Sequence, residues 1–309
     1  MQVTGWRREA EPHSLSFYAP RFYRHDSQSP WLCGVPVEWP EAPPLDRPAL
    51  THVSHPEEDS FCAIHAEILQ GIRENRFEKV VPFVAQELQF SGDLHWSMFP
   101  SARHDPGAQF AFGFQRAEEG MCGITPELLF RVKEGRLTTM ALAGTGAIGA
   151  PSLLNDSKEL LEHHLVVENI YKALRDLGEV KIDSTREQNY VDLKHLLTPI
   201  EVTLNDPPVF LNLISRLHPT AALGGVPRAA ALDFLRLRGG ERHRFGAPFG
   251  YVNDSEMVCV VAIRSLQWSN SRAWIMSGCG VVAGSVAERE WRELELKRQS
   301  AGRQLGIEL

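Results

Sequence analysis

Nowhere in the 309 residues is there an uninterrupted apolar run of membrane length, which excludes a helical membrane span. The first stretch, "MQVTGWRREAEPHSLSF", lacks a basic segment followed by an apolar one, so a secretory leader is not expected either. The expected location is the cytoplasm. Cysteine is scarce: Cys33, Cys62, Cys122, Cys259 and Cys279 are odd in number and form no C-x-x-C pair. That argues against both a disulfide framework and a zinc knuckle, and for a reducing compartment. No block of like charges interrupts the formal net charge of −7. The chain therefore offers no electrostatic footprint for nucleic acid or an anionic membrane, and a small anion would need a local positive site. Internal repeats and low-complexity tracts are also missing. What is present is a 43% hydrophobic composition, enough for the core of one large domain or two smaller ones.

Residues 1 to about 55 are rich in Pro, Trp and Arg, and "VEWPEAPPLDRPAL" reads as an extended, linker-like run over the surface. In "SHPEEDSFCAIHAEILQGIREN" the pattern changes. Ser54 can cap, Glu57 and Glu58 favour a first turn, and Phe61, Ile64, Ile68 and Ile72 recur with helical period. The β-branched content of "FEKVVPFVAQELQF" predicts a strand, followed by others at "AQFAFGFQ", "CGITPELLFRV" and "RLTTMALAG". A helix is predicted from Asp156 to Leu177, with Leu160, Leu161, His164, Val167 and Ile170 on its inner side and Gly178 as its stop. Further strands are predicted at "EVKIDS", "GAPFGYV", "VCVVAIRSLQW" and "RAWIMSGCGVVAG", with a helix near "GVPRAAALDFLRLR". Strands and helices in irregular order, without repeated βαβ units, predict an α+β fold.

Two helices carry charge with a pattern. In "VAEREWRELELKRQS", Glu290, Glu293 and Lys297 are spaced i, i+3 and i+7, and in "DSKELLEHHLVVENI" Glu159 and Glu162 repeat the i, i+3 spacing. Each pair lies on one helix face. Taken singly, each reads as a solvated face balanced by Lys158 or Lys297. Taken together, four carboxylates with few soft ligands suit a hard, oxygen-seeking cation such as Mg²⁺.

The motifs "FEKVV", "GITPELLFR", "ALAGT", "KELLEHHLVV", "LKHL", "HPTAALGGVPR", "GYV", "AIRS", "GCGVVAGS" and "EWRELELK" occur in one order between about residues 55 and 300. In that order the chain resembles the chorismate-utilising enzymes, which include isochorismate, salicylate, anthranilate and aminodeoxychorismate synthases, and it is most similar to the isochorismate synthases. The resemblance implies the chorismate-binding fold of anthranilate synthase component I, with large antiparallel sheets and helices packed outside. It implies an abbreviated N-terminal segment, residues 1–55, continuous with a chorismate-binding domain, residues 56–309. It further implies that Glu162 and Glu293 hold Mg²⁺ directly while Glu159 and Glu290 help through waters.

The same resemblance gives Lys79 the part of the base that activates water, and Glu127 that of the general acid across the ring. Arg264 would receive the pyruvyl carboxylate, as a planar fork suits a carboxylate. Gly278, Gly280 and Lys297 would form the ring-carboxylate side, His195 in "LKHL", read from sequence as a histidine at a helix start, would lie near C4, and Thr145, Thr220 and neighbouring glycines would shape the pocket. His218 is expected to be structural. The expected reaction is attack of water at C2 of chorismate with loss of the C4 hydroxyl, giving isochorismate. Ala143 stands where aminodeoxychorismate synthases carry a nucleophilic lysine. Three departures from the family pattern stand out: the short N-terminal part, Phe245 in place of a tyrosine, and Pro82-Phe83-Val84 after "KVV". Two alternatives stay open, a salicylate synthase that also eliminates pyruvate and a binder of chorismate without turnover. A monomer or weak homodimer is expected, and the product could serve menaquinone, a siderophore or salicylate.

Overall fold

The computed structural model describes residues 15–22, 46–99 and 109–309 in full, and 2–7 and 31–35 as backbone strands. The proline-rich stretch 37–45 of the linker-like run lies outside the described residues. The fold is α+β, and every strand pair is antiparallel. The larger sheet runs Gln2–Arg7, Trp31–Val35, Leu15–Tyr18, Pro248–Val252, Glu256–Val261, Leu128–Lys133, Arg136–Ala147, Leu193–Leu204 and Gly178–Ile182, with Arg186–Tyr190 also on Leu193–Leu204. A second sheet orders Leu50–Val53, Phe83–Phe90, Arg272–Gly278, Ser265–Ser269, Glu119–Thr125 and Phe110–Arg116. A small third one joins Gly225–Val226, Lys79–Val80 and Val281–Val282. Residues before 56 supply strands to both large sheets, because Leu15–Tyr18 pairs with Pro248–Val252 and Leu50–Val53 with Phe83–Phe90.

The helices are α1 (Glu58–Arg73), α2 (Ser157–Leu174), α3 (Phe210–Leu217), α4 (Arg228–Arg238) and α5 (Ala287–Gln304). Among the described residues no helix is long and apolar enough to cross a membrane. Val166, Ile170 and Leu174 of α2 share a core with Leu213, Ile214 and Leu217 of α3 and with Leu137, Ile200 and Val202 of the larger sheet. Phe61 and Ile68 of α1, Leu235 of α4 and Leu294 of α5 enclose Val80 and Val281 of the small sheet.

The chain passes from one sheet to another at four places that matter for the site. Pro126 and Glu127 link the second sheet to the larger one, and Arg264 makes the return between Glu256–Val261 and Ser265–Ser269. Val81 and Pro82 take Lys79–Val80 into the second sheet, and Cys279 and Gly280 lead back from Arg272–Gly278 to the small one. A side chain at such a crossing leaves the regular in-and-out alternation of a strand, so it can point into the seam between sheets.

Three local expectations are corrected. Ser54 does not cap α1: Glu57 occupies that position, and the Ser54 hydroxyl instead accepts the Glu87 N–H beside the Leu50–Val53 pairing. His195 belongs to the strand Leu193–Leu204, not to a helix start. The inner face of α2 is rotated from the predicted one: Leu160 and Leu161 are 38% and 39% exposed, whereas Lys158, Glu159, Glu162, His163, Val166 and Ile170 are buried. His163, not His164, faces inward. Its Nδ1 lies 3.2 Å from the Ala143 carbonyl and its Nε2 2.7 Å from Thr198 Oγ1. Burial lowers its pKa to about 4, so the ring is neutral, with Nδ1 donating and Nε2 accepting.

This orientation has a direct consequence for stability. Ile170→Ala should lower it by roughly 2–5 kcal/mol, while Leu161→Gln should stay within about 0.5 kcal/mol, as read from urea denaturation; equal losses at the two positions would contradict the rotated face.

Candidate active site

The polar half of α2's buried stripe meets the first turns of α5. Asp156 fixes the start of α2 by accepting the N–H groups of Lys158 and Glu159 at 3.0 and 3.3 Å. Its other oxygen takes Arg289 of α5 at 2.8 Å, which ties the two helices together. Inside that tie, Lys158 Nζ lies 3.2 Å from Glu159 Oε1, 3.0 Å from Glu162 Oε2 and 2.9 Å from Glu290 Oε1. Glu162 reaches on with Oε1 to Lys79 Nζ, 3.1 Å away. Lys297 donates to Glu293 at 2.5 Å and to the Gly278 carbonyl at 2.8 Å. The four glutamates named by the resemblance thus gather in one place, with three lysines among them.

Burial makes this arrangement costly for any charge left alone. Lys79 is wholly buried, and Glu162 and Glu290 are 5% and 2% exposed. Burial works against ionisation of Glu162, yet Lys158, Lys79 and Lys297 together bring its pKa below the ordinary carboxylate range. Burial pushes Glu159 and Glu290 up, with repulsion from Glu293 adding to it, and the pull of Lys158 does not bring either back to the ordinary carboxylate range. For Lys158, burial opposes the charge while Glu162, Glu293, Glu290 and Glu159 hold the pKa above the usual lysine value.

A cleft opens beside the cluster, lined by Glu127, Glu162, His195, Arg264, Lys297 and Phe245, with Ala143, Gly144, Thr145, Gly278 and Gly280 contributing to its walls. Its free volume is about 60 Å³, enough for a few waters. Glu127 is held at its crossing by both sheets: its N–H donates to Thr125 Oγ1 at 3.2 Å, and its carbonyl accepts from Val261 at 3.0 Å. Burial raises the pKa of its carboxyl to about 7, against the pull of Lys79 and Lys297.

Arg264 has φ 54°, a left-handed conformation uncommon outside glycine and of a kind that concentrates at functional sites. Its NH2 lies 3.1 Å from His195 Nε2, and His195 Nδ1 lies 3.0 Å from the Gly144 carbonyl. Burial, then Arg264 and Lys297, lower the His195 pKa well below the usual value. A neutral ring with its proton on Nδ1 satisfies both contacts, donating to Gly144 and accepting from Arg264. Gly144, at φ +77°, sits where the register of Arg136–Ala147 against Leu193–Leu204 shifts between Ala143 and Thr145. Such a bulge re-aims the backbone: here the Thr145 N–H donates to Glu159 Oε2 at 3.0 Å.

Lys79 does not line the cleft; it stands one layer behind Glu162 and Gly280. A Cβ on Gly280 would run into both Glu162 Oε1 and the Lys79 side chain, so the glycine leaves the gap through which that lysine approaches the cleft. Glu159, Glu290 and Glu293 also lie behind the wall, and Thr220 is buried outside it. His218 is structural, its Nε2 being 2.9 Å from the Phe22 carbonyl. Two participants escaped the sequence reading, Lys158 as a buried member of the cluster and Gly144 at the bulge. The Asp156 cap, which fixes the first turn, was the signal that places Lys158 beside Glu159 and Glu162.

Among the described residues no three His, Cys, Asp or Glu side chains stand ready-grouped for a metal ion; Lys158 stands among Glu159, Glu162 and Glu290. The donor set nevertheless fits a hard cation. Glu290 Oε2 is buried with no hydrogen-bond partner, and Gly280 keeps the space at Glu162 Oε1 clear.

An acid, a buried arginine and the lysine–glutamate cluster thus meet at one cleft where the antiparallel sheets join. Residues 38–306 match the family model described as chorismate binding enzyme, and the chain belongs to that family. It is 34% identical over 75% of its length to the salicylate biosynthesis isochorismate synthase of Pseudomonas aeruginosa, covering 52% of that protein. It is 32% identical over 73% of its length to isochorismate synthase MenF of Bacillus subtilis, covering 51% of it. The fold superposes with a TM-score of 0.83 on a Bacillus anthracis chain described as a 2,3-dihydroxybenzoate-specific isochorismate synthase, DhbC, at 23% identity, covering 96% of this chain and 85% of that one. The chain spans about half the length of the curated relatives it matches.

Glu127 supplies a check on the site's electrostatics. Its raised pKa makes a contribution to stability that is present below the ordinary carboxylate range and lost as pH rises through about 7. Infrared difference spectra of wild type minus Glu127→Gln should show one carboxylic acid titrating near pH 7, and wild-type stability relative to Glu127→Gln should fall over the same window. A carboxylate already ionised at pH 5 would contradict the placement.

Proposed function

We propose that this chain is an isochorismate synthase, converting chorismate to isochorismate with Mg²⁺. The observation that carries the reading is the pairing of Glu127, a buried acid on the cleft wall with a pKa of about 7, with Lys79, a buried amine that stands behind Gly280 and 3.1 Å from the cleft-lining Glu162. A proton donor and a proton acceptor are what a hydroxyl exchange on one ring requires, and the gap at Gly280 is the route by which Lys79 would act.

In this reading Arg264, held by the neutral His195, takes the pyruvyl carboxylate with its planar fork. Lys297 and the backbone at Gly278 and Gly280 lie on the ring-carboxylate side. Mg²⁺, when bound, would be held by Glu162 and Glu293, with Glu159 and Glu290 assisting through waters, and would offset the negative charge of the ring carboxylate. Lys79 accepts a proton from a water as that water adds to C2. The ring double bonds shift, and Glu127 protonates the C4 hydroxyl, which leaves as water. One water enters and one leaves. Ala143 offers no amine to compete as nucleophile, and Phe245, tilted against Phe83 at 6.2 Å between centroids, presents an apolar wall.

Incubation with chorismate and Mg²⁺ followed by chromatography should yield isochorismate without pyruvate. Pyruvate release would instead make the chain a salicylate synthase, and no consumption of chorismate would make it a binder. Lys79→Ala and Glu127→Gln should each lower kcat by roughly 10²–10⁴-fold, whereas Arg264→Ala should act mainly on KM. Full activity in Lys79→Ala would overturn the mechanism.

A further inference from the structure

Of the three lysines in the cluster, Lys158 is the one for which the reaction has no task, and it holds the central position. Its ammonium touches Glu159, Glu162 and Glu290 at 2.9–3.2 Å, the same carboxylates that would serve a divalent ion. We propose that Lys158 is the built-in cation of the metal-free site, and that metal entry is an exchange in which its ammonium leaves the glutamates as the ion arrives. The inference rests on the metal-dependent reading above and deepens it.

Geometry requires the exchange. Magnesium–oxygen contacts are about 2.0–2.1 Å in a near-octahedral shell, and an ammonium spread over three of the same carboxylates leaves no room for that shell. Charge points the same way. A divalent ion brought to carboxylates that already share an ammonium would place two cations on one donor set, and departure of the ammonium relieves their repulsion. The lysine also has a way out. It sits in the first turn of α2 with its side chain 9% exposed, against 0% for Lys79, and its four-carbon stem is flexible. The partnerless Glu290 Oε2 marks a donor that the ammonium leaves unused.

Mn²⁺ serves as the probe, its free concentration read by electron paramagnetic resonance during titration of the full chain. Lys158→Met should bind Mn²⁺ about 10-fold more tightly than wild type or better, since the coupling between ammonium and metal is reciprocal. Without metal its melting temperature should fall, because four carboxylates then repel, and Mn²⁺ should restore it. Lys158→Arg, which keeps the charge, should retain the metal-free melting temperature and bind no more tightly than wild type. Should Lys158→Met fail to fold without metal, amine labelling of wild type read by mass spectrometry decides the matter: Lys158 should be protected in chelator and labelled in saturating Mn²⁺. Mn²⁺ affinity in Lys158→Met equal to or below that of wild type, or labelling indifferent to Mn²⁺, would overturn the exchange alone. Failure of wild type and Lys158→Met alike to bind Mn²⁺ would overturn the metal reading beneath it as well.

Discussion

Ion pairing between buried lysines and glutamates is the constraint on which the rest of this site depends. A carboxylate or ammonium in a dry interior is tolerated only when partners satisfy it, and here the chain Lys79–Glu162–Lys158–Glu290 links the small sheet, α2 and α5 through contacts of 2.9–3.1 Å. Lys297 anchors Glu293 to the end of the strand Arg272–Gly278. Breaking any link would strand a charge, so the helices are held by the chemistry they carry as much as by their apolar faces.

The sheets supply the other half of the arrangement. Glu127, Arg264, Gly280 and the segment after Lys79 all lie where the chain crosses from one sheet to another, and the bulge at Gly144 adds a fifth irregular point facing the same cleft. Regular strands commit alternate side chains to core or solvent; crossings do not. An antiparallel scaffold with its exceptions concentrated at one seam thereby presents an acid, a guanidinium and backbone groups to a single cleft.

Much of this was legible in the sequence. β-Branched runs marked most of the strands, irregular alternation marked the α+β class, and the i, i+3 spacing of Glu159 with Glu162 and of Glu290 with Glu293 marked two acidic faces that do converge. The orientation of α2 was not legible, because its pattern supports two faces about one residue apart: Leu160 and Leu161 look like core, but pairing with lysines brings Lys158, Glu159 and Glu162 inside instead. His195 read as a helix start because "LKHL" has no strand alternation; both faces of its strand are buried between layers, which erases that signal. Lys158 read as a surface counter-charge since sequence shows neighbours along a helix and not the second helix that buries it.

The central claim is that this seam exchanges a ring hydroxyl with solvent, water adding at C2 as the C4 hydroxyl departs. Turnover of chorismate in water labelled with heavy oxygen, with the product resolved by mass spectrometry, tests it most directly. The account predicts one labelled oxygen, located on C2 of isochorismate. Unlabelled isochorismate, or label at any position other than C2, would contradict it.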